Sequence, residues 1–144
     1  MSAPVFVDTN VLIYAVDSAD ATKQQAAFRW RELLWRNRRG RISFQVLQEF
    51  YVNVLRKQPD AVDEARAEMR DLLEWDPVVV DAPIVELAWE LQDRYQFSFW
   101  DALIVAAAKS AQCRYLLTEG LPPNQDIGGI LVVNPFFTEP ESLQ

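Results

Sequence analysis

VFVDTNVLIYAV, residues 5–16, is apolar almost throughout and yet carries Asp8-Thr9-Asn10 at its centre. Val5-Phe6-Val7 reads as a short buried strand and residues 10–15 as the start of a helix, with a carboxylate at the join. Ionised carboxylates are rarely buried without a partner or a metal, so Asp8 needs a reason. Outward from this turn the alternation continues. Residues 21–38 keep Ala26, Ala27, Trp30, Leu33 and Leu34 at the spacing of an amphipathic helix, which Gly40 is expected to end. Residues 42–44 read as a strand feeding a helix over 45–57, with Pro59 beyond it; residues 60–75 read as a further amphipathic helix. Val78-Val79-Val80 reads as a second clear strand, 83–95 and 100–111 as helices, and 115–117 and 130–133 as strands. Such alternation predicts an α/β protein with a mainly parallel central sheet covered on both faces. Ligands in these folds bind beyond the carboxyl ends of the strands, which is where Asp8 stands.

Length and composition narrow the chemistry. A chain of 144 residues suits one domain, taken here as residues 1–136, followed by a polar tail, FTEPESLQ, over 137–144 that is expected to fray. No apolar run approaches the ~20 residues of a bilayer crossing, and the start lacks the basic segment of a secretory signal, so a cytoplasmic protein is expected. The lone Cys113 forms no intramolecular disulfide and reads as a small core residue near a helix end. With no histidine, the Ser-His-Asp and Cys-His systems are excluded, and catalysis must use carboxylates, lysine or a metal. The net charge of −7 argues against a polyanion partner, but residues 29–41 hold six arginines against one glutamate. So segregated a charge presents a local basic surface on an acidic protein.

Three further acids fall on apolar elements or at strand ends. Glu49 is the only acid between Arg41 and Lys57, Asp101 opens the uncharged run of FWDALIVAAAK, and Glu119 follows the strand at 115–117. Brought to one cleft, two carboxylates ~4 Å apart repel by ~4 kcal/mol at an effective dielectric of 20. A divalent cation reverses that sign, and oxygen-only ligands suit Mg²⁺ or Mn²⁺. Taken singly, each acid has a plainer reading. Asp8 is a natural helix N-cap, Ser98-Phe99-Trp100-Asp101 fits a capping box, Glu49 fits a solvent-facing helix position, and Glu119 and Asp126 fit loops. The arginines likewise divide between a helix C-terminus that favours cations, at Arg36, Arg38 and Arg39, and phosphate contacts from Arg36, Arg38, Arg39 and Arg41. Trp30 and Leu34 read as core, whereas Trp35 is the aromatic expected to be exposed.

Taken together and in order, the DTN turn, SFQVLQEF, FWDALIVAAA and the closing LLTE…VVNPF resemble the PIN-domain ribonucleases, and most closely their VapC-like branch, the toxins of type II toxin–antitoxin pairs. The resemblance runs from Val5 to Phe136. It implies an α/β/α sandwich, Mg²⁺ or Mn²⁺ dependence, endonucleolytic cleavage of RNA, homodimerisation and inhibition by a cognate antitoxin. It implies Asp8, Glu49 and Asp101 as catalytic and metal-binding acids, with Thr9, Asn10, Ser43 and Thr118 supporting them. One departure stands out: where related sequences carry a fourth acid, this chain has Gly120, leaving Glu119 or Asp126 as substitutes. Two other classes stay open, a PIN-like module that binds RNA or a partner without cutting, and an aspartyl-phosphate phosphatase or receiver. The second usually shows Asp-x-Asp, and the second position here is Asn10.

Overall fold

Strand β1 (Val5–Val7) is buried at every position and lies between β2 (Gly40–Arg41) and β3 (Tyr115–Leu117), parallel to both. The structure is a computed structural model that describes residues 3–143. β5 (Ile130–Val133) joins β3 in parallel, and β4 (Asp126–Ile127) closes that edge antiparallel, giving the order β2-β1-β3-β5-β4. The β4–β5 turn is Gly128-Gly129, both at positive φ, the backbone that a two-residue hairpin demands. The short β4 was not visible in the sequence, since two residues carry no period.

Around the sheet stand α1 (Thr9–Val16), α2 (Ala21–Arg36), α3 (Phe44–Lys57), α4 (Val62–Leu73), α5 (Ala82–Tyr95) and α6 (Phe99–Ser110). The result is the expected α/β sandwich on a mostly parallel sheet. α1 packs on α2 and α3, α3 on α4, and α5 on α6. The uncharged run after Asp101 is buried from Ala102 to Ala108, which makes α6 a central helix of the core. Trp30 and Leu34 are buried as expected, the Trp30 indole N–H donating to the Pro135 carbonyl at 3.0 Å. Cys113 is free and buried, and burial pushes its thiol up to about 12. Among the described residues no helix is long and apolar enough to cross a membrane.

Several local expectations are corrected. Helix α2 stops at Arg36, with Arg38 in the left-handed region at φ 55°, so Gly40 does not end the helix. Gly40 is instead the first residue of β2, and any Cβ there would lie 2.4 Å from the Trp75 ring. The strand expected at 42–44 is displaced to Gly40–Arg41, because Ser43 already caps α3 by accepting from the Val46 amide at 3.3 Å. Val78-Val79-Val80 is no strand. It makes one parallel bridge, Ser43 with Val78, and leaves Val79 63% exposed, since a β-prone run needs a neighbouring strand to become one. The tail folds back on α2, where Arg29 pairs with Glu139 and Glu141 and Pro140 is buried.

Candidate functional site

The register of the two central strands builds the site. Val7 pairs with Leu117, so the next residues, Asp8 and Thr118, emerge side by side at the carboxyl edge. The Asp8 amide donates to Leu117 O at 3.0 Å and Thr118's to Val133 O at 3.0 Å, which holds both backbones in place. The Thr118 hydroxyl donates to Asp8 Oδ2 at 2.9 Å, and Asn10 Nδ2 reaches Thr118 Oγ1 at 3.1 Å and Asp8 Oδ2 at 3.3 Å. Asp8 is also the N-cap of α1, its Oδ1 accepting from the Thr9 amide at 2.7 Å. Cap and cluster are thus the same side chain.

Two more helices bring their acids to this edge. The Thr9 hydroxyl donates to Glu49 Oε1 at 2.8 Å, bridging α1 to α3. At α6 the Asp101 amide donates to Ser98 Oγ at 3.1 Å, half of a capping box. The reciprocal bond from the Ser98 amide to the carboxylate is not made among the described residues, so the Asp101 carboxylate is left for other use. Burial, first, and the nearby charges of Glu49 and Asp101 push the Asp8 carboxyl up from 3.8 to about 6, against the opposing bonds from Thr118 and Thr9. Among the described residues none of the three acids has a cationic side chain in ion-pair range.

The donor set decides what cation would fit. It is all oxygen, and among the described residues no three acids stand close enough to make a ready cage. Mg²⁺ keeps most of its waters and takes one or two carboxylates, so a hydrated Mg²⁺ or Mn²⁺ on Asp8 and one neighbour suits these residues where a closed site would not.

Other candidate residues sit elsewhere. Ser43 is fully buried and caps α3, aiming the helix that carries Glu49 without touching the acids. Glu119 turns away into a separate cluster, accepting from Tyr14 Oη at 2.6 Å and Lys23 Nζ at 2.7 Å. Burial works to raise the Glu119 carboxyl, but the Lys23 and Tyr14 donors together hold it below its ordinary value. Asp126 accepts from the Gly129 amide at 2.8 Å in the β4–β5 turn. Neither acid joins Asp8. The arginine run lies at the opposite, amino edge of the sheet: Arg39 is buried and donates to Ala3 O at 2.9 Å, Arg41 binds the carbonyls of Arg38 and Gly40, and Arg36 and Arg38 are exposed. Trp35 is 37% exposed, its ring against Trp75 and under the Arg31 guanidinium.

Sequence reasoning missed Tyr14, Lys23 and Gln45. The first two meet Glu119 from α1 and α2, about a hundred residues away, and nothing local marks them. Gln45 could have been found: it stands one turn before Glu49 on α3, is buried, and donates from Nε2 to Trp100 O at 3.4 Å.

Acids from three elements gathered beyond the carboxyl ends of a parallel sheet define an α/β protein with a carboxylate-lined edge. Residues 5–120 match the PIN-domain family model, and the chain belongs to the PIN-domain family. Three solved structures share the fold. A toxin–antitoxin complex from Klebsiella pneumoniae is 22% identical at a TM-score of 0.65 over 91% of this chain and 97% of that one. VapBC2 from Rickettsia felis, solved with a DNA fragment from its promoter, is 18% identical at 0.60 over 89% and 96%. VapC20 from Mycobacterium tuberculosis, a sarcin-ricin loop cleaving toxin, is 26% identical at 0.58 over 78% and 86%. No curated protein matches the chain.

Proposed function

We propose that the protein is a Mg²⁺- or Mn²⁺-dependent endoribonuclease and the toxin of a toxin–antitoxin pair. The observation that carries the reading is the approach of Glu49 and Asp101 to Asp8 at one edge of the sheet, with no cationic side chain paired to any of the three among the described residues; burial first, and then these neighbouring charges, raise the Asp8 carboxyl. Asp8 and Asp101 would hold the cation, and Glu49, fixed by Thr9, would bind it or orient the attacking water. When bound, the ion lowers the pKa of water and stabilises charge on the phosphoryl oxygens. Thr118 and Asn10 keep Asp8 in one rotamer, and no histidine is required. Because water attacks in place of the ribose 2′-hydroxyl, products carry 5′-phosphate and 3′-hydroxyl ends. End-group analysis of RNA cut by the native chain tests this, and 2′,3′-cyclic phosphate ends dependent on the protein overturn it.

The antitoxin reading rests on likeness to the complexes above and on a groove of about 500 Å³ between the end of α1, α3 and α4. Val16, Phe50, Val54 and Ala65 line it, and Asp60, Glu64 and Glu68 rim it, which suits a basic amphipathic helix. Homodimerisation belongs to the same proposal and is checked by the mass of the purified protein. The commitment of Glu119 to Tyr14 and Lys23 favours one second reading, a site that grips RNA without cutting. Cleavage by the native chain compared with Asp8→Asn separates the two: equal cutting removes the nuclease reading.

A further inference from the structure

The helices that carry Glu49 and Asp101 are not each other's main packing partners. α3 packs chiefly on α1 and α4, and α6 on α5, so the spacing of the two acids depends on smaller contacts. One side chain crosses between them. Gln45 on α3 donates from Nε2 to Trp100 O at 3.4 Å, the one side-chain hydrogen bond between α3 and α6 among the described residues. It stands four residues before Glu49, one turn away on the same face of the helix. The carbonyl it grips belongs to the peptide that joins Trp100 to Asp101, and the N–H of that same peptide donates to Ser98 Oγ at 3.1 Å. A peptide unit is planar, so holding its oxygen from α3 and its nitrogen from the α6 cap fixes the backbone from which the Asp101 side chain springs. As a stabiliser, by contrast, Gln45 is poorly placed. It is buried, its side-chain bond is long, and its Oε1 is buried with no partner. Turning the amide over would set Oε1 against the Trp100 carbonyl, acceptor against acceptor, so the unsatisfied oxygen comes with the bond. A buried polar atom without a partner costs stability that an apolar side chain of the same size would keep.

We propose that Gln45 is a positioning residue for the carboxylate site: by holding the Trp100–Asp101 peptide from α3, it sets the spacing between Asp101 and Glu49. The inference rests on the cation site of the nuclease reading above and adds a residue to it. The other two acids have tethers of their own, since the Thr118 hydroxyl donates to Asp8 and the Thr9 hydroxyl to Glu49. The Asp101 carboxylate accepts no hydrogen bond among the described residues, so its place is set through its backbone, and Gln45 is the link from that backbone to α3. Spacing matters because Mg²⁺ demands near-ideal octahedral geometry and forgives little displacement of a ligand. A side chain kept for geometry at some cost in stability is what such a support looks like. The competing reading is a plain staple between two helices. The long bond and the unsatisfied oxygen speak against it.

The test replaces the amide with apolar side chains of similar size, Gln45→Met and Gln45→Leu, in the full chain. Mn²⁺ affinity, measured by calorimetry, is expected to fall about tenfold, or about 1.4 kcal/mol. On a short RNA that the native chain cuts with Mg²⁺, kcat is expected to fall by a similar factor while KM holds. The melting temperature without divalent ions is expected to hold or rise, the reverse of what losing a staple does. In an Asp101→Asn background Gln45→Met should cost Mn²⁺ affinity nothing further, because it acts through that residue. A second, additive loss there overturns the inference, as does a melting temperature that falls with the affinity, or a failure of both variants to fold, each of which makes Gln45 a staple. Unchanged Mn²⁺ affinity in both variants sinks this inference alone. A native chain that binds Mn²⁺ and cuts no RNA removes the nuclease reading and leaves the Mn²⁺ measurements to decide the role of Gln45; a native chain that binds no Mn²⁺ sinks both.

Discussion

The two edges of the sheet are built on opposite terms. At the amino edge cations have company: Arg31 pairs with Glu68 at 2.6 Å over the Trp35 and Trp75 rings, Arg39 donates to a backbone carbonyl although its Nη2 is buried without a partner, and Glu74 and Asp76 share a cleft with Arg38 and Arg41. At the carboxyl edge no cation answers the acids: Asp8 and Glu49 accept from hydroxyl and amide donors alone, and among the described residues neither they nor Asp101 have a cationic partner. An edge that settles its charges stabilises the fold; one that leaves them unsettled keeps a free energy that a bound cation can release. Substitutions at the two edges should accordingly fail in different assays.

The largest effect is expected at the unsettled edge. Asp8→Asn or Asp101→Asn should lower RNA cleavage at least about a hundredfold, the scale for removing one electrostatic stabiliser of a transition state. Asp101→Asn should also weaken Mn²⁺ binding measured by calorimetry. Unchanged Mn²⁺ affinity would remove Asp101 from the cation site.

The same acid should work against stability. The Asp8 carboxyl is raised in the folded chain, from 3.8 to about 6, so the folded state binds its proton more tightly than the unfolded state does. Stability from this group is full below about pH 4 and is lost as pH rises through 6, a swing of up to roughly 3 kcal/mol. Asp8→Asn should therefore melt higher than the native chain at pH 7.5 without divalent ions, the gap closing toward pH 4. Added Mg²⁺ should raise the melting temperature of the native chain and leave that of Asp8→Asn nearly still. A gap independent of pH would show that Asp8 carries no such penalty in the folded state.

At the settled edge the next effect is purely structural. In Gly40→Ala the new Cβ meets Trp75 ring atoms at 2.4 and 2.6 Å, and the ring is held by Trp35 and Arg31. Forcing it aside should cost about 2 kcal/mol in chemical denaturation while kcat of the surviving folded protein holds.

Gly120 offers the reverse operation. A Cβ there would lie 3.5 Å from Thr118 Oγ1 and 3.8 Å from Asn10 Nδ2, ordinary contacts beside the two residues that bind Asp8. Gly120→Asp should thus fold normally and add an acid where Glu119 does not reach, tightening Mn²⁺ binding several-fold. No gain in affinity would place residue 120 outside the cation's reach.

What the sequence shows of this contrast follows the range of the forces involved. Val5–Val7 and the α6 run are legible because burial writes itself as uninterrupted apolar residues. Asp8, Glu49 and Asp101 stand out in the sequence because a charge in such a setting is conspicuous, and where a parallel strand ends places the first of them. The Val78-Val79-Val80 run misleads because propensity is local while pairing is not, and Gly40 because its glycine answers to Trp75, thirty-five residues later. The Tyr14–Lys23–Glu119 cluster leaves no trace in any short window, for each member is ordinary where it stands.

The smallest predicted effects separate two neighbours in the arginine run. β1 is three residues long, about 10 Å at ~3.3 Å per residue, so on the nuclease reading an RNA strand held at the acids would need only a few nucleotides to reach the amino edge. Exposed Arg36 and Arg38 can meet a phosphate there, whereas buried Arg39 is occupied with Ala3 O. Glu74 and Asp76, in the cleft with Arg38, offset much of the attraction, so Arg38→Ala should raise KM only two- to threefold, the scale of leaving about one phosphate un-neutralised in moderate salt. The increase should shrink further as salt rises, and the melting temperature should stay put. Arg39→Ala should do the opposite, lowering stability by about 1 kcal/mol through the missing bond to Ala3 while KM is unchanged. If Arg39→Ala raised KM and spared stability, the amino edge would have to be redrawn as part of the RNA path, and the division of labour between the two edges would fall.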